Sequence, residues 1–219
     1  MTKNEIPEIA KILLEDLLDE PGSILYSGHA TLKPNDVYLL GFNPGGAGGN
    51  PLRYSIDNML TNESNAYLDE SWENLNGTWG EGEAPLQKRI CWLLENIGLD
   101  PREICTSNLI FMQSREANGI NYNLAKRCWP VHEAILEIVK PKLIIAFGNS
   151  EVSPYGYMHS MLGGIEECLP SGHGSWSVKG FECNINGKLV YVAGLPHLSR
   201  YSPVGKNHVV EWLLNKFHL

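Results

Sequence analysis

Unbroken apolar runs alternate along the chain with amphipathic stretches at helical spacing. Glu5–Leu18 sets Ile6, Ile9, Ile12, Leu13 and Leu17 at that spacing, and "DEPGS" ends it, which predicts a helix. "DVYLLG" (Asp36–Gly41) follows the turn "KPND" and predicts a buried strand. Asn50–Glu83 is polar, with Gly, Asn and Trp, and reads as a long loop with some helix. Pro85–Ile97 carries Ile90, Leu93, Leu94 and Ile97 on one helical face. "EICTSNLIFM" (Glu103–Met112) predicts a second strand, Leu124–Val139 a helix closed by Lys140–Pro141, and "LIIAFG" (Leu143–Gly148) a third strand. Phe181–Ile185 and Lys188–Val192 flank Asn186–Gly187, the signal of a type I′ hairpin. Val190–Ala193 then runs into "GLPHLSRYSP", and Asn207–Phe217 predicts a terminal amphipathic helix.

Strands alternating with helices predict an α/β fold. Continuous rather than alternating apolar runs are what strands buried on both faces require. The expectation is a three-layer α/β/α domain with a central, mostly parallel four-stranded sheet, and residues 1–219 read as a single domain. Ligands of such sheets sit outside the carboxyl ends of the strands. Three of those ends carry polar residues: Asn43 after the first strand, Asn108 near the end of the second and His197 after the last. The three could share one crevice.

Net charge is −8, which opposes nucleic-acid binding, where phosphate contacts dominate. Its distribution is uneven. Acids gather in Glu5–Glu20 and Asn62–Glu83, whereas Arg53, Arg115, Lys126, Arg127, Arg200 and Lys206 lie elsewhere. The five cysteines are an odd number with no CxxC pair, which fits scattered reduced thiols and a cytoplasmic location. No apolar stretch reaches about 18 residues, so no membrane span is expected. Met1–Pro21 lacks the marks of a secretory signal. His29, His132, His159, His173, His208 and His218 show no metal-like spacing, and no metal is expected. Trp72 and Trp79 read as loop anchors, or as surfaces on which a base could stack.

"LLGFNPGG" (Leu39–Gly46) ends a strand on an Asn aimed into a glycine-rich loop. The glycine spacing does not fit a dinucleotide fingerprint, which needs GxGxxG opening into a helix. A plain structural turn would also accept Asn43. Breaking a glycosidic C–N bond makes other demands: donors where charge grows on the departing base, and a polar group to place water. An Asn, a second Asn and a His meet them without a metal or cofactor. The Asn108 amide offers both a donor and an acceptor to a pyrimidine edge.

Four segments in order resemble the uracil-DNA glycosylase superfamily. "GFNPGG" is similar to its first motif, "CTSNLIFM" to its base-reading strand, "KPKLIIAFGNS" to its third-strand segment and "PHLSRY" to its second motif, over about Thr31–Pro203. The resemblance implies a metal-free DNA glycosylase, with no iron–sulphur cluster, that acts on DNA carrying uracil or a damaged base. It implies that Asn43 orients water and that His197 stabilises the leaving base. Asn108 would read the base and Tyr54 would stack on it. Gly41, Phe42, Pro44, Gly45 and Ser199 would border the base. Leu198, Arg200 and Tyr201, after His197, are candidates for a wedge into the duplex. The chain has Asn where the classical branch has Asp, and Leu198 where the second motif commonly has Pro. The rival readings are a non-catalytic nucleobase- or nucleic-acid-binding protein and a glycosidase of free nucleosides.

Overall fold

The computed structural model describes residues 1–74, 77–115 and 119–217. Strand β1 (Val37–Gly41) is buried along its whole length, as its unbroken apolar sequence requires. Its side chains alternate between two cores. Tyr38 and Leu40 pack with helices α1 (Ile6–Leu13) and α4 (Leu124–Val139), whereas Val37 and Leu39 pack with α3 (Pro85–Asn96) and α6 (Asn207–Phe217). This gives helix, sheet and helix layers, the three-layer α/β arrangement expected from the pattern.

A two-residue ribbon, β2 (Glu73–Asn74) with β3 (Gly77–Thr78), stands apart from the main sheet. The sheet is built from β1, β4 (Cys105–Asn108), β5 (Leu143–Phe147), β6 (Glu167–Pro170), β7 (Ser177–Ile185) and β8 (Lys188–Leu195), in the order β4-β1-β5-β8-β7-β6. The first four in that order are mutually parallel; β7 pairs antiparallel with β8, and β6 antiparallel with β7. The four-stranded expectation is therefore corrected to a mixed sheet of six strands. The addition is the hairpin partner β7 and the edge strand β6. The hairpin turns at Asn186 and Gly187 with φ of 52° and 77°, the positive pair that a type I′ turn needs.

Two boundaries also differ from expectation. The first helix leaves α geometry at Leu14 and resumes as a 3₁₀ turn over Glu15–Leu17, where Asp16 reaches Arg127 of α4. The expected strand over Glu103–Met112 forms a ladder over Cys105–Asn108, with one isolated bridge from Met112 to Gly22. Its partner β1 ends at Gly41, and beyond it Leu109, Ile110 and Ser114 donate to the carbonyls of Gly41, Phe42 and Pro44 along the following loop. Two helices lie beyond β1 and β5: α2 (Leu52–Asp57) and α5 (Pro154–Leu162). Among the described residues no helix is long and apolar enough to cross a membrane.

Candidate active site at the strand ends

Parallel pairing sets Gly41 beside Asn108 at the ends of β1 and β4. Gly41 has no room for a side chain. A Cβ there would lie 2.2 Å from Asn108 Oδ1 and 2.7 Å from Phe147 Cζ, at the end of β5. The Phe147 ring in turn meets the His197 ring edge-on, with centroids 5.7 Å apart. Gly41, Asn108, Phe147 and His197 thus form one contiguous group across three parallel strands and the loop after a fourth.

Asn43 follows two residues after Gly41 and is half-buried. Its Nδ2 donates to the Pro44 carbonyl at 2.7 Å. That bond orients the amide and leaves Oδ1 as an acceptor. The glycine loop beyond uses positive φ at Gly46 (84°) and Gly48 (73°), where a side chain would be strained. Gln113, after β4, pins this loop: its Nε2 donates to the Gly45 carbonyl at 2.7 Å and its Oε1 accepts from the Gly49 N–H at 2.8 Å. Phe42 is buried beside Tyr122, so only its main chain borders the strand ends.

His197 is held by its own turn. Arg200 and Tyr201 N–H groups donate to its carbonyl, and Arg89 of α3 donates to the carbonyls of Leu198 and Ser199 at 2.7 and 2.9 Å. His197 Nδ1 accepts from the Ser199 N–H at 3.2 Å and lies 2.7 Å from the Ser199 hydroxyl. An Nδ1 that accepts must be unprotonated, so the ring proton sits on Nε2. Burial, and then the Arg200 charge, hold this imidazole below its ordinary pKa of 6.5. His197 is therefore a neutral Nε2–H donor near pH 7.

Asn108 is 3% exposed; the Tyr26 hydroxyl lies near its amide, but no group meets its Nδ2 in full hydrogen-bond geometry. A buried donor left unpaired costs about 1–3 kcal/mol, so one at a strand end invites a ligand acceptor. The Tyr26 hydroxyl is its neighbour. Burial, and then the Glu70 carboxylate, push the Tyr26 pKa well up, against the opposing pull of the Gly45 backbone and the Asn108 amide. On the far side, His132 steadies the end of β4. It accepts from the Tyr38 hydroxyl at 3.0 Å, and its Nε2 meets the Leu109 carbonyl at 3.2 Å. Burial drives the His132 pKa down to about 4.

The structure separates the remaining site expectations. Tyr54, on α2, is 56% exposed and lines a cavity of about 510 Å³ whose walls also include Tyr26, Pro44, Glu63 and Glu70. It shares this cavity with Tyr26, the neighbour of Asn108, and with Pro44, which follows Asn43. Of the wedge candidates, Leu198 and Tyr201 are fully buried in the core beneath α3 and α6, and the Tyr201 hydroxyl donates to the Ser171 carbonyl at 2.9 Å. Neither projects as a wedge requires. Arg200 and Ser199 remain exposed.

Of the basic residues away from the acid clusters, Arg53 pairs with Asp19 and Arg127 with Asp16. Among the described residues no three His, Cys, Asp or Glu side chains converge as a metal site needs; His218 lies outside the described residues. Tyr26, Gln113, Arg89 and Phe147 are the supporting residues that sequence reasoning missed. Comparison with protein-family models and with curated proteins finds no match for this chain.

Proposed function

We propose that the chain is a base-excision glycosylase that hydrolyses the N-glycosidic bond of uracil or a related damaged base in DNA. The observation that carries this reading is the buried, unpaired Asn108 amide at a strand end whose neighbouring ring, Phe147, supports a neutral His197. In the reaction, Asn43 Oδ1 accepts a hydrogen bond from water and aims its oxygen at C1′. The C1′–N bond breaks, and its electron pair leaves with the base. The water oxygen bonds to C1′ and loses its proton to solvent. His197 Nε2–H donates to the oxyanion that grows on the base, and Asn108 Nδ2–H donates to a second carbonyl. Removal of one such donor lowers a rate by roughly 10²–10³-fold. Asn43 is an amide and so positions water without taking its proton.

The test is release of base from labelled oligonucleotides carrying one uracil, single-stranded or opposite guanine or adenine. The Asn43→Ala and His197→Ala proteins serve as controls. Abasic product lost in both variants supports the reading, and no product on any strand sinks uracil excision.

A second reading, hydrolysis of free nucleosides, is favoured by one feature. The charged residues that line the large cavity are Glu63 and Glu70, which would repel a phosphate. Salt separates the two readings. Binding to a DNA chain weakens steeply as salt rises, whereas turnover of a neutral nucleoside does not.

A further inference from the structure

With Leu198 and Tyr201 buried, the exposed aromatic nearest in connectivity to His197 lies in a different loop. Ser171–Trp176 joins β6 to β7. It lies at the sheet end where β8 finishes, because β7 and β8 are antiparallel and Lys179 pairs with Gly194. The loop is closed on itself: Ser171 N–H donates to the Trp176 carbonyl at 2.8 Å and Trp176 N–H to the His173 carbonyl at 3.1 Å. Positive φ at Gly172 (73°) and Gly174 (54°) shapes it. It is also fastened to the His197 loop. Tyr201 Oη donates to the Ser171 carbonyl, Lys206 Nζ donates to the Gly172 carbonyl at 2.5 Å, and the His173 ring stands edge-on to Tyr201 at 6.4 Å. Asn149 completes the junction, donating from Nδ2 to the carbonyls of both Ser177 and Gly194.

On this braced loop Trp176 is 40% exposed, with its indole against the His173 ring at 4.8 Å. A large aromatic held by short loop bonds and left open to solvent is a stacking platform with little ordering entropy to lose. Along this part of the chain the charge leans basic. From Cys168 to Val210 the chain contains one acid, Glu182, against Lys179, Lys188, Arg200 and Lys206, although the whole protein carries −8. Glu182 lies five residues along β7 from Ser177, roughly 16 Å away at strand rise. Lys179 is paired with Glu166; Lys206 is fastened to this loop at the Gly172 carbonyl, and the exposed Arg200 precedes Tyr201, which holds the Ser171 carbonyl.

We propose that the Ser171–Trp176 loop, together with Arg200 and Lys206, forms a binding edge for single-stranded DNA, with the Trp176 indole stacked on an unpaired base beside the nucleotide presented to His197. The proposal takes its polymer from the glycosylase reading, but its test needs no base release.

The probe is a fluorescein-labelled 12-nucleotide single strand without uracil, titrated at low salt and followed by anisotropy and by quenching of tryptophan emission. Wild type should bind with quenching. Trp176→Ala should weaken binding about tenfold, the order expected for loss of one stacked base. Trp176→Phe should keep most of the affinity but lose the quench. Trp79→Phe, changed at an indole 41% exposed in an acidic segment, should keep both. The proposal is overturned if wild type does not bind the strand, if Trp176→Ala binds as wild type does, or if the quench survives in Trp176→Phe. Trp176-dependent binding without base release on any substrate would leave this edge standing and remove the glycosylase reading. Base release with Trp176-independent binding would do the reverse.

Discussion

Gly41→Ala tests how the strand ends are fitted together. The added methyl would sit 2.2 Å from Asn108 Oδ1, and 2.7 and 2.9 Å from Phe147 Cζ and Cε2. All three are inside contact distance, so the Asn108 amide and the Phe147 ring must both move. Overpacking of this kind costs about 1–3 kcal/mol. For a domain of this size each kcal/mol lowers Tm by roughly 2–4 °C, so a fall of about 2–12 °C is expected. The clash names its partner, which allows a double-mutant cycle. Asn108→Ala removes an unpaired amide and leaves a small void, two opposing effects that should nearly cancel. In that background Gly41→Ala should recover part of its loss, with the Phe147 contact as the remainder. Chemical and thermal denaturation of the four proteins measures the cycle. Base release should fail in Gly41→Ala even well below its Tm, because the reading amide has been displaced. A Gly41→Ala protein as stable as wild type, or a loss identical in both backgrounds, would refute the contact on which the site is built.

Base release should fall on the acid side as His197 gains its second proton, in a limb below pH 6.5, because burial and Arg200 hold its pKa down. Arg200→Gln should move that limb to higher pH in a pH–rate profile. Stability should also fall with acid. His132, neutral and buried with a pKa near 4 against 6.5 unfolded, binds a proton in the unfolded chain first, so roughly 3 kcal/mol is present above pH 6.5 and is lost as pH drops towards 4. Urea midpoints across that range should show the slope in wild type and a shallower one in His132→Gln. Arg89→Met removes two bonds to the His197 loop and should lower the rate of base release at least tenfold with little change in affinity for a uracil-containing strand. Burial raises the thiol pKa of Cys91, Cys128 and Cys183 to about 11 and of Cys105 to about 12; desolvation and Glu166 also raise that of Cys168, but it is the one exposed thiol of the five, so a thiol reagent at neutral pH should label it first.

Much of the fold was legible because strands buried on both faces leave unbroken apolar runs. β1, β5 and β8, and helices α4 and α6, emerge from that pattern. The edge strand β6 does not. Its residues are largely exposed and it ends at Pro170, so no buried face marks it. Helix α5 carried a start signal, Ser153 capping the Gly156 N–H with Pro154 in the first turn. Gly156 and its weak apolar face hid the rest. Within the site, the juxtaposition of Asn108 with the end of β1 follows from parallel register and could be anticipated. The inward turn of Leu198 and Tyr201 could not, since it depends on two backbone bonds to the His197 carbonyl and on the α3–α6 core beneath. Tyr26, in "SILYSG", has no periodic signature, and only tertiary contact brings it to Asn108.

The central claim is that Asn43, Asn108 and His197 form one hydrolytic centre. Its most direct test is single-turnover appearance of free uracil from a single-stranded oligonucleotide at pH 7.5, with wild type and the three alanine variants. The account predicts stoichiometric uracil and an abasic strand from wild type, with rates reduced roughly 10²–10³-fold in His197→Ala and strongly in the other two. Uracil release at equal rates in wild type and His197→Ala would contradict it, as would no release by wild type at all.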